Sequence, residues 1–265
     1  MSLFFHELKS KWKALFFWCL GASALVVSGM SEYSGLQGTG ESMNELIAQM
    51  PESLQAILGT GTLDLSTATG YFGMLFSYLI LITTIHAVLL GTSTIVKEER
   101  ERTAEFLMVK PISRSRVLTH KLLAAGCNLL LLNGASTITA VISISVFATE
   151  GESSKHVVML MIGMLLTQLI FFTLGITIAT WGKWLKRSTI IGATLLLICY
   201  LLSIAIDLNP SFEALSYVTP FKYFEAKVIL NEGSLDPLFL TISFIVIVLS
   251  ILGSYSLYKR RDLQI

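Results

Sequence analysis

Charge is scarce in this sequence. Charged residues fill 14% of 265 positions, hydrophobic residues fill 53%, and the mean hydropathy is +0.70. A typical soluble domain is about 25% charged. Too few polar side chains are present to cover a water-soluble globule. That excludes an ordinary soluble enzyme, a disordered chain and a nucleic-acid binder as leading readings. Cysteine is scarce too: Cys19, Cys127 and Cys199 are the whole set. All three fall inside apolar stretches, so they read as small buried residues and no disulfide is expected. Catalytic motifs are also missing. The nearest approach to a Walker A loop, Gly175 through Gly182-Lys183, has the wrong glycine spacing and runs into Trp184. There is no His-Glu-x-x-His, no Gly-x-Ser-x-Gly and no pair of membrane aspartates. The chain is therefore expected to be no enzyme and to hold no metal.

What is present is a set of long apolar runs. A helix needs roughly 20 mainly apolar residues to cross a bilayer. Six stretches qualify, approximately 14–30, 70–96, 122–148, 157–181, 189–206 and 237–258, and none contains Asp, Glu, Lys or Arg. The first follows Lys9, Lys11 and Lys13, as a signal peptide would. Ser28-Gly29-Met30 is a poor cleavage site, so a retained span is expected. The segments that alternate between spans differ sharply in charge. One set, made of the amino-terminal segment, the loops after spans two and four and the carboxy-terminal tail, holds 16 bases and 6 acids. The other set holds Lys155, Lys222 and Lys227 against 12 acids. The near-neutral total thus conceals about +10 on one side and −9 on the other. Basic segments stay inside, so both termini are expected in the cytoplasm, which an even number of spans permits. The expectation is an all-α membrane protein: a single transmembrane domain over 1–265, multi-pass in the cell membrane.

Between the spans, Ser2–Lys13 sets Leu3, Phe4, Phe5, Leu8 and Trp12 against His6, Glu7 and three lysines, a pattern suited to an interfacial helix ahead of span one. In the longest outer loop, Met43, Leu46, Ile47, Met50, Leu54, Ile57 and Leu58 recur at helical spacing. Ser42 and Glu45 form a capping-box pair, and Pro51 interrupts the run and starts a second short helix. The last outer loop holds Tyr217-Val218-Thr219-Pro220-Phe221-Lys222-Tyr223-Phe224, whose aromatics and proline suggest a short, partly reinserted turn at headgroup depth.

The inner loop Lys97–Lys121 carries the most information. Its first half continues a helix past span two, with Glu98 and Arg102 in the favourable order at i, i+4. Phe106, Leu107 and Val109 make an apolar patch, Pro111 ends the helix, and Ser113 is placed to cap the next one. Four acids mixed with the bases weaken any attraction to anionic lipid, and the apolar patch needs burial, so docking on a soluble partner is the better reading.

The loop resembles that of permease subunits of ABC transporters of the type-2 exporter class. The matching run is Glu99, Arg100, Thr103, Glu105, Leu107, Pro111, Ser113 and Arg114, with Lys121 following. The element Pro220–Phe224 and the tail from Tyr258 through Asp262 are similar as well, so the likeness covers essentially the whole chain. One departure is Thr103-Ala104, where many relatives carry Gly-Thr. The resemblance implies a cytoplasmic coupling helix at Glu98–Val109, between spans two and three, seated in a cleft of a separate ATPase. Glu98, Glu99, Arg100, Glu101, Arg102, Thr103, Glu105, Phe106, Leu107, Pro111 and Arg114 would make that contact. It implies a pair of permease subunits with the substrate route between them, lined mainly by spans two and five. ATP and magnesium would be held by the ATPase, and no cofactor by this chain. Partners are then the ATPase, a second permease and the bilayer, with no nucleic acid. A peptide, lipid or drug-like amphiphile is the expected cargo.

Two other classes compete. Proton or sodium coupling needs an ionisable group at mid-membrane, and His86 is the main candidate there. A structural or sensory membrane protein is the other. Thr83, Thr84, His86, Asn128, Asn133 and Gln168 are candidates to line a path, and each also reads as helix-packing glue.

Overall fold

The computed structural model describes residues 3–37, 43–60, 63–100, 113–147, 154–181 and 187–260. Nine α-helices and two 3₁₀ turns are found among them, with no strand. Six helices are long and apolar enough to cross a membrane: α1 (Leu3–Gln37), α4 (Ala68–Arg100), α5 (Arg114–Phe147), α6 (Ser154–Thr180), α7 (Ser188–Leu208) and α9 (Pro237–Arg260). The short α2 (Met43–Ala48) and α3 (Glu52–Leu58) lie between α1 and α4. The turns Pro210–Tyr217 and Pro220–Lys222 and the short α8 (Ala226–Glu232) lie between α7 and α9.

Several spans are longer than their apolar cores. At 1.5 Å per residue α1 and α5 each reach roughly 50 Å, well past a hydrocarbon core of about 30 Å. The interfacial helix expected at Ser2–Lys13 is not a separate element, because Leu3 onward is the start of one unbroken 35-residue α1. The segment contains no proline or glycine before Gly21, so nothing in it breaks the backbone ladder. The Met43–Leu58 run does break at Pro51, whose extended ψ of 143° precedes α3. Ser42 of the expected capping box lies outside the described residues.

α4 and α6 form the centre, with 67% and 61% of their most apolar windows buried, whereas α7 and α9 reach only 22% and 17%. The outer helices turn large apolar side chains outward: Phe16 and Phe17 on α1, Leu130 and Ile138 on α5, Leu197 and Leu201 on α7, Phe244 and Leu249 on α9. An apolar exterior of this extent belongs in lipid. The core approach of α4 and α6 depends on Gly91. A Cβ there would stand 2.4 Å from the Phe172 carbonyl oxygen, inside any possible contact, so only glycine lets the two backbones meet.

One end of the bundle gathers the start of α1, the end of α4, the start of α5 and the end of α9. Lys11 reaches Thr94, Lys97 reaches Ser10, and Arg114 reaches the carbonyl of Lys259. The end where α4 finishes and α5 begins is the inner end. The opposite end, holding α2, α3, the 3₁₀ turns and α8, is called the outer end.

Candidate functional site

The functional candidates fall into three layers along the bundle. At the inner end α4 stays helical through Arg100, so Glu98, Glu99 and Arg100 occupy its last turn. Glu101, Arg102, Thr103, Glu105, Phe106, Leu107 and Pro111 lie outside the described residues. The chain resumes at Ser113, whose Oγ accepts a hydrogen bond from the Arg116 N–H at 3.4 Å, as its expected capping role requires. Arg114 opens α5 and donates to the Lys259 carbonyl at 3.5 Å.

Two lysines hold the end of α4. Thr94 donates its hydroxyl to the Leu90 carbonyl at 2.6 Å and accepts Lys11 from α1 at 2.6 Å. Its carbonyl accepts Lys121 from α5 at 2.7 Å. Lys97 adds a bond to Ser10 at 2.9 Å. The sequence places Lys121 in a charged surface loop, but it stands two turns inside α5 and is 1% exposed. Its long stem crosses to α4 and its ammonium finds a carbonyl, which makes that burial tolerable. Hydrogen bonds to charged groups contribute about 1.5–3 kcal/mol each, so this end of α4 is fixed to α1 and α5 together.

The middle layer holds the expected path residues, and they divide. Thr83 spends its hydroxyl within its own helix on Leu79 and Ile80. Asn128 does the same on Ala124. Asn133 joins α5 to α6 by donating to the Met161 carbonyl at 3.1 Å. Of these three, Asn133 is the one whose bond crosses between helices. Thr84 Oγ1, His86 Nδ1 and both amide atoms of Gln168 are buried without a hydrogen-bond partner. His86 faces Trp18 of α1, with ring centroids 5.1 Å apart. Gly91 lies against Phe172 and Ile176, and α4 and α6 run in the same direction. Two turns back, Thr84 is therefore level with Gln168. Each unpartnered buried group costs about 1–3 kcal/mol, a cost that water or a polar ligand group in this layer would relieve.

At the outer end the chain folds back between α7 and α9. Asn209 accepts a bond from the Ser211 N–H at 3.0 Å to start the first 3₁₀ turn, and Pro210 and Pro220 sit at the first turn positions where no N–H is needed. Thr219 donates to the Cys199 carbonyl at 2.8 Å, and Tyr223 donates to the Tyr217 carbonyl at 2.6 Å while stacking on Phe239. The expected short helical turn is present, and its aromatics pack into the bundle: Phe221, Tyr223 and Phe224 are buried, whereas Tyr217 and Val218 are exposed.

This turn carries four charges in contact. Lys222 pairs with Asp207 at 2.6 Å and donates to Glu225. Lys227 donates to the same Asp207 oxygen at 2.6 Å and to Glu225 at 3.3 Å. Burial lowers the Lys227 ammonium, but Glu225 and Asp207 outweigh it and hold its pKa above the ordinary lysine value. Beside the quartet lies a cavity of about 320 Å³ walled by α3, α4, α7 and the start of α8. Sequence reasoning missed it. The available signal was a lysine set among aromatics at 220–224, followed by Glu225 and Lys227.

A family model described as "Multidrug efflux system permease Rv1217c, C-terminal domain" matches residues 7–257, nearly the whole chain. No curated protein matches.

Proposed function

The chain belongs to that efflux-permease family, and from this premise we propose that it is the transmembrane subunit of an ATP-driven exporter of the ABC type-2 class. Two copies, or this chain and a related one, pair around the path. A separate cytoplasmic ATPase binds the nucleotide and its magnesium, and this chain supplies the coupling surface. Both termini and the 101–112 segment face the cytoplasm, as the charge asymmetry favours.

The observation that supports coupling best is the clamp at Thr94. A segment carrying Glu101, Arg102, Thr103, Glu105, Phe106, Leu107 and Pro111 joins α4 to α5, and those helices are tied together by Lys121. Lys11 ties α1 to the same point. A push on the segment then moves three helices as one body instead of bending a free helix end. The buried layer of Thr84, His86 and Gln168 lies further along α4 and α6, where such a movement would be felt. The cargo is an amphiphile of drug, lipid or peptide character.

Replacing Glu101 or Phe106 by alanine tests the reading. The expected result is at least a tenfold fall in ATP-dependent export, with ATPase co-purification weakened and the permease still folded. Wild-type export and co-purification in both variants would overturn the coupling role.

A further inference from the structure

We propose that the outer-end cavity is a binding site for an amphipathic organic cation, a compact apolar body bearing one positive charge. This rests on the exporter reading only in making the compound a cargo; the binding itself needs no ATPase. The size fits, since small-molecule sites run from about 300 to 1,000 Å³ and this one measures about 320 Å³. The walls fit an apolar body. Phe76 and Ile80 of α4, Tyr200 of α7, and Phe221 and Phe224 of the turn all line it. The depth fits an amphiphile. Phe76 and Ile80 stand eight and twelve residues into α4, about 12–18 Å along the helix, while Asp207 and Glu225 mark the outer mouth.

The charge pattern selects a cation. Lys222 and Lys227 both spend their ammonium groups on Asp207 and Glu225. Both lysines use the same Asp207 oxygen, Oδ1, so Oδ2 keeps its acceptor capacity. Aromatic faces add negative quadrupole to the same wall, an attraction worth about 0.5–2 kcal/mol for a cation held against it. The sequence segments at this end of the bundle also carry a formal charge of −9, which draws cations toward the mouth. Lys227 also lines the cavity, but its ammonium is already paired with Asp207 and Glu225, so an anion gains little from it and meets the carboxylates and ring faces with the opposite sign. The lid is α3. It ends at Gly59 with φ +69°, and a Cβ there would stand 2.5 Å from Ser77 Oγ. The glycine thus lets the chain turn away directly over the cavity, leaving Gln55, Ala56 and Ile57 as its cover.

The test uses two shape twins of opposite charge, tetraphenylphosphonium and tetraphenylborate, and the full chain in lipid nanodiscs. Ser203 and Ala56 line the cavity from α7 and α3, and tryptophan at either position fills it. Calorimetric titration should show saturable tetraphenylphosphonium binding, at least tenfold weaker in Ser203→Trp, and tetraphenylborate at least tenfold weaker than its twin after subtraction of empty nanodiscs. Ala56→Trp, on the surface lid, reports the same loss should Ser203→Trp fail to fold. Equal binding of the twins, or full binding in the filled variants, overturns the proposal. The exporter reading fails separately: if the cation binds but no ATPase drives its export, the site stands and the transport reading falls. If an ATPase-dependent export of the cation survives in Ala56→Trp with no binding detected, the site falls and the exporter stands.

Discussion

The two ends of the bundle bury the same residue type for different purposes. At the inner end Lys121 is 1% exposed and its ammonium grips the Thr94 carbonyl, with Lys11 on the Thr94 hydroxyl. At the outer end Lys222 is 7% exposed and its ammonium is shared by two carboxylates. The inner bonds fix a point along one helix relative to its neighbours. The outer bonds hold three separate pieces of chain to one another: the end of α7, the turn and the start of α8. A lysine that grips a helix carbonyl is a positional device, whereas a lysine between carboxylates neutralises charges that would otherwise repel one another.

That difference predicts unequal costs. Lys222→Met strips the buried cation from between Asp207 and Glu225 and leaves their carboxylates to Lys227 alone. Breaking a buried ion pair from one side costs about 3–5 kcal/mol when burial is complete, and the partial exposure of both acids brings the expected loss to the lower bound, about 3 kcal/mol. Lys121→Met keeps the volume and leaves the Thr94 carbonyl inside its helix, so a loss near the lower end of the range for a charged hydrogen bond, about 1.5 kcal/mol, is expected. Unfolding midpoints in detergent measure both. Export activity should reverse the order, with Lys121→Met losing coupling well beyond its small loss of stability. Equal stability losses, or normal export in Lys121→Met, would break the contrast between a positional and a compensating lysine.

Alkaline titration probes the outer end by itself. The Lys227 ammonium faces Glu225 and Asp207 with Lys222 beside them, and its pKa is raised in the folded chain. A raised lysine contributes stability that is fully present below the unfolded value of 10.5 and lost as the pH rises through the folded one. The stability gap between wild type and Lys227→Met should therefore be constant from neutral pH to about 10 and close above it. Lys227 is half in solvent, so the gap is expected to be under about 1 kcal/mol. A gap that persists unchanged beyond the lysine range would mean that Lys227 acts by packing.

Legibility in the sequence followed the same divide. Uninterrupted apolar runs and the absence of charge made all six spans readable, because lipid leaves a spanning chain no alternative to helix. Pro51 and Ser113 were readable because their effects are local backbone chemistry. Lys121 was misplaced because its acceptor lies 27 residues away on another helix, and charge in a sequence reads as surface. The outer quartet joins Asp207 to Lys227 across 20 residues, and the cavity draws its walls from positions between Gln55 and Lys227. No periodicity records such tertiary meetings. Of the expected path residues, only geometry could separate Thr83, satisfied within its own turn, from Thr84 beside it.

The smallest predicted effect inverts the inner arrangement at the outer end, where an acid is held by neutral donors. Asp64 precedes α4, and its Oδ1 accepts from the Ser66 hydroxyl at 2.6 Å, the Asn44 amide at 2.7 Å and the Ser66 N–H at 3.1 Å. These bonds hold its carboxyl below the usual aspartate value, led by the Ser66 hydroxyl. Asn44 in turn accepts the Leu65 N–H at 2.9 Å, so the pair ties α2 to the chain entering α4. A depressed carboxyl contributes stability present above its unfolded pKa and lost as the pH falls through the folded one. Asp64→Ala should thus lower the unfolding midpoint at neutral pH by no more than about 0.5 kcal/mol in stability, since the group is exposed. The difference from wild type should shrink as the pH falls below the ordinary aspartate value of 3.8 and vanish once it has passed below the folded one. A cost that is the same at pH 3 and pH 7 would show that the α2 tie depends on the backbone turn and not on the charge. The outer end would then share with the inner end the rule that position, rather than charge, is what its hydrogen bonds supply.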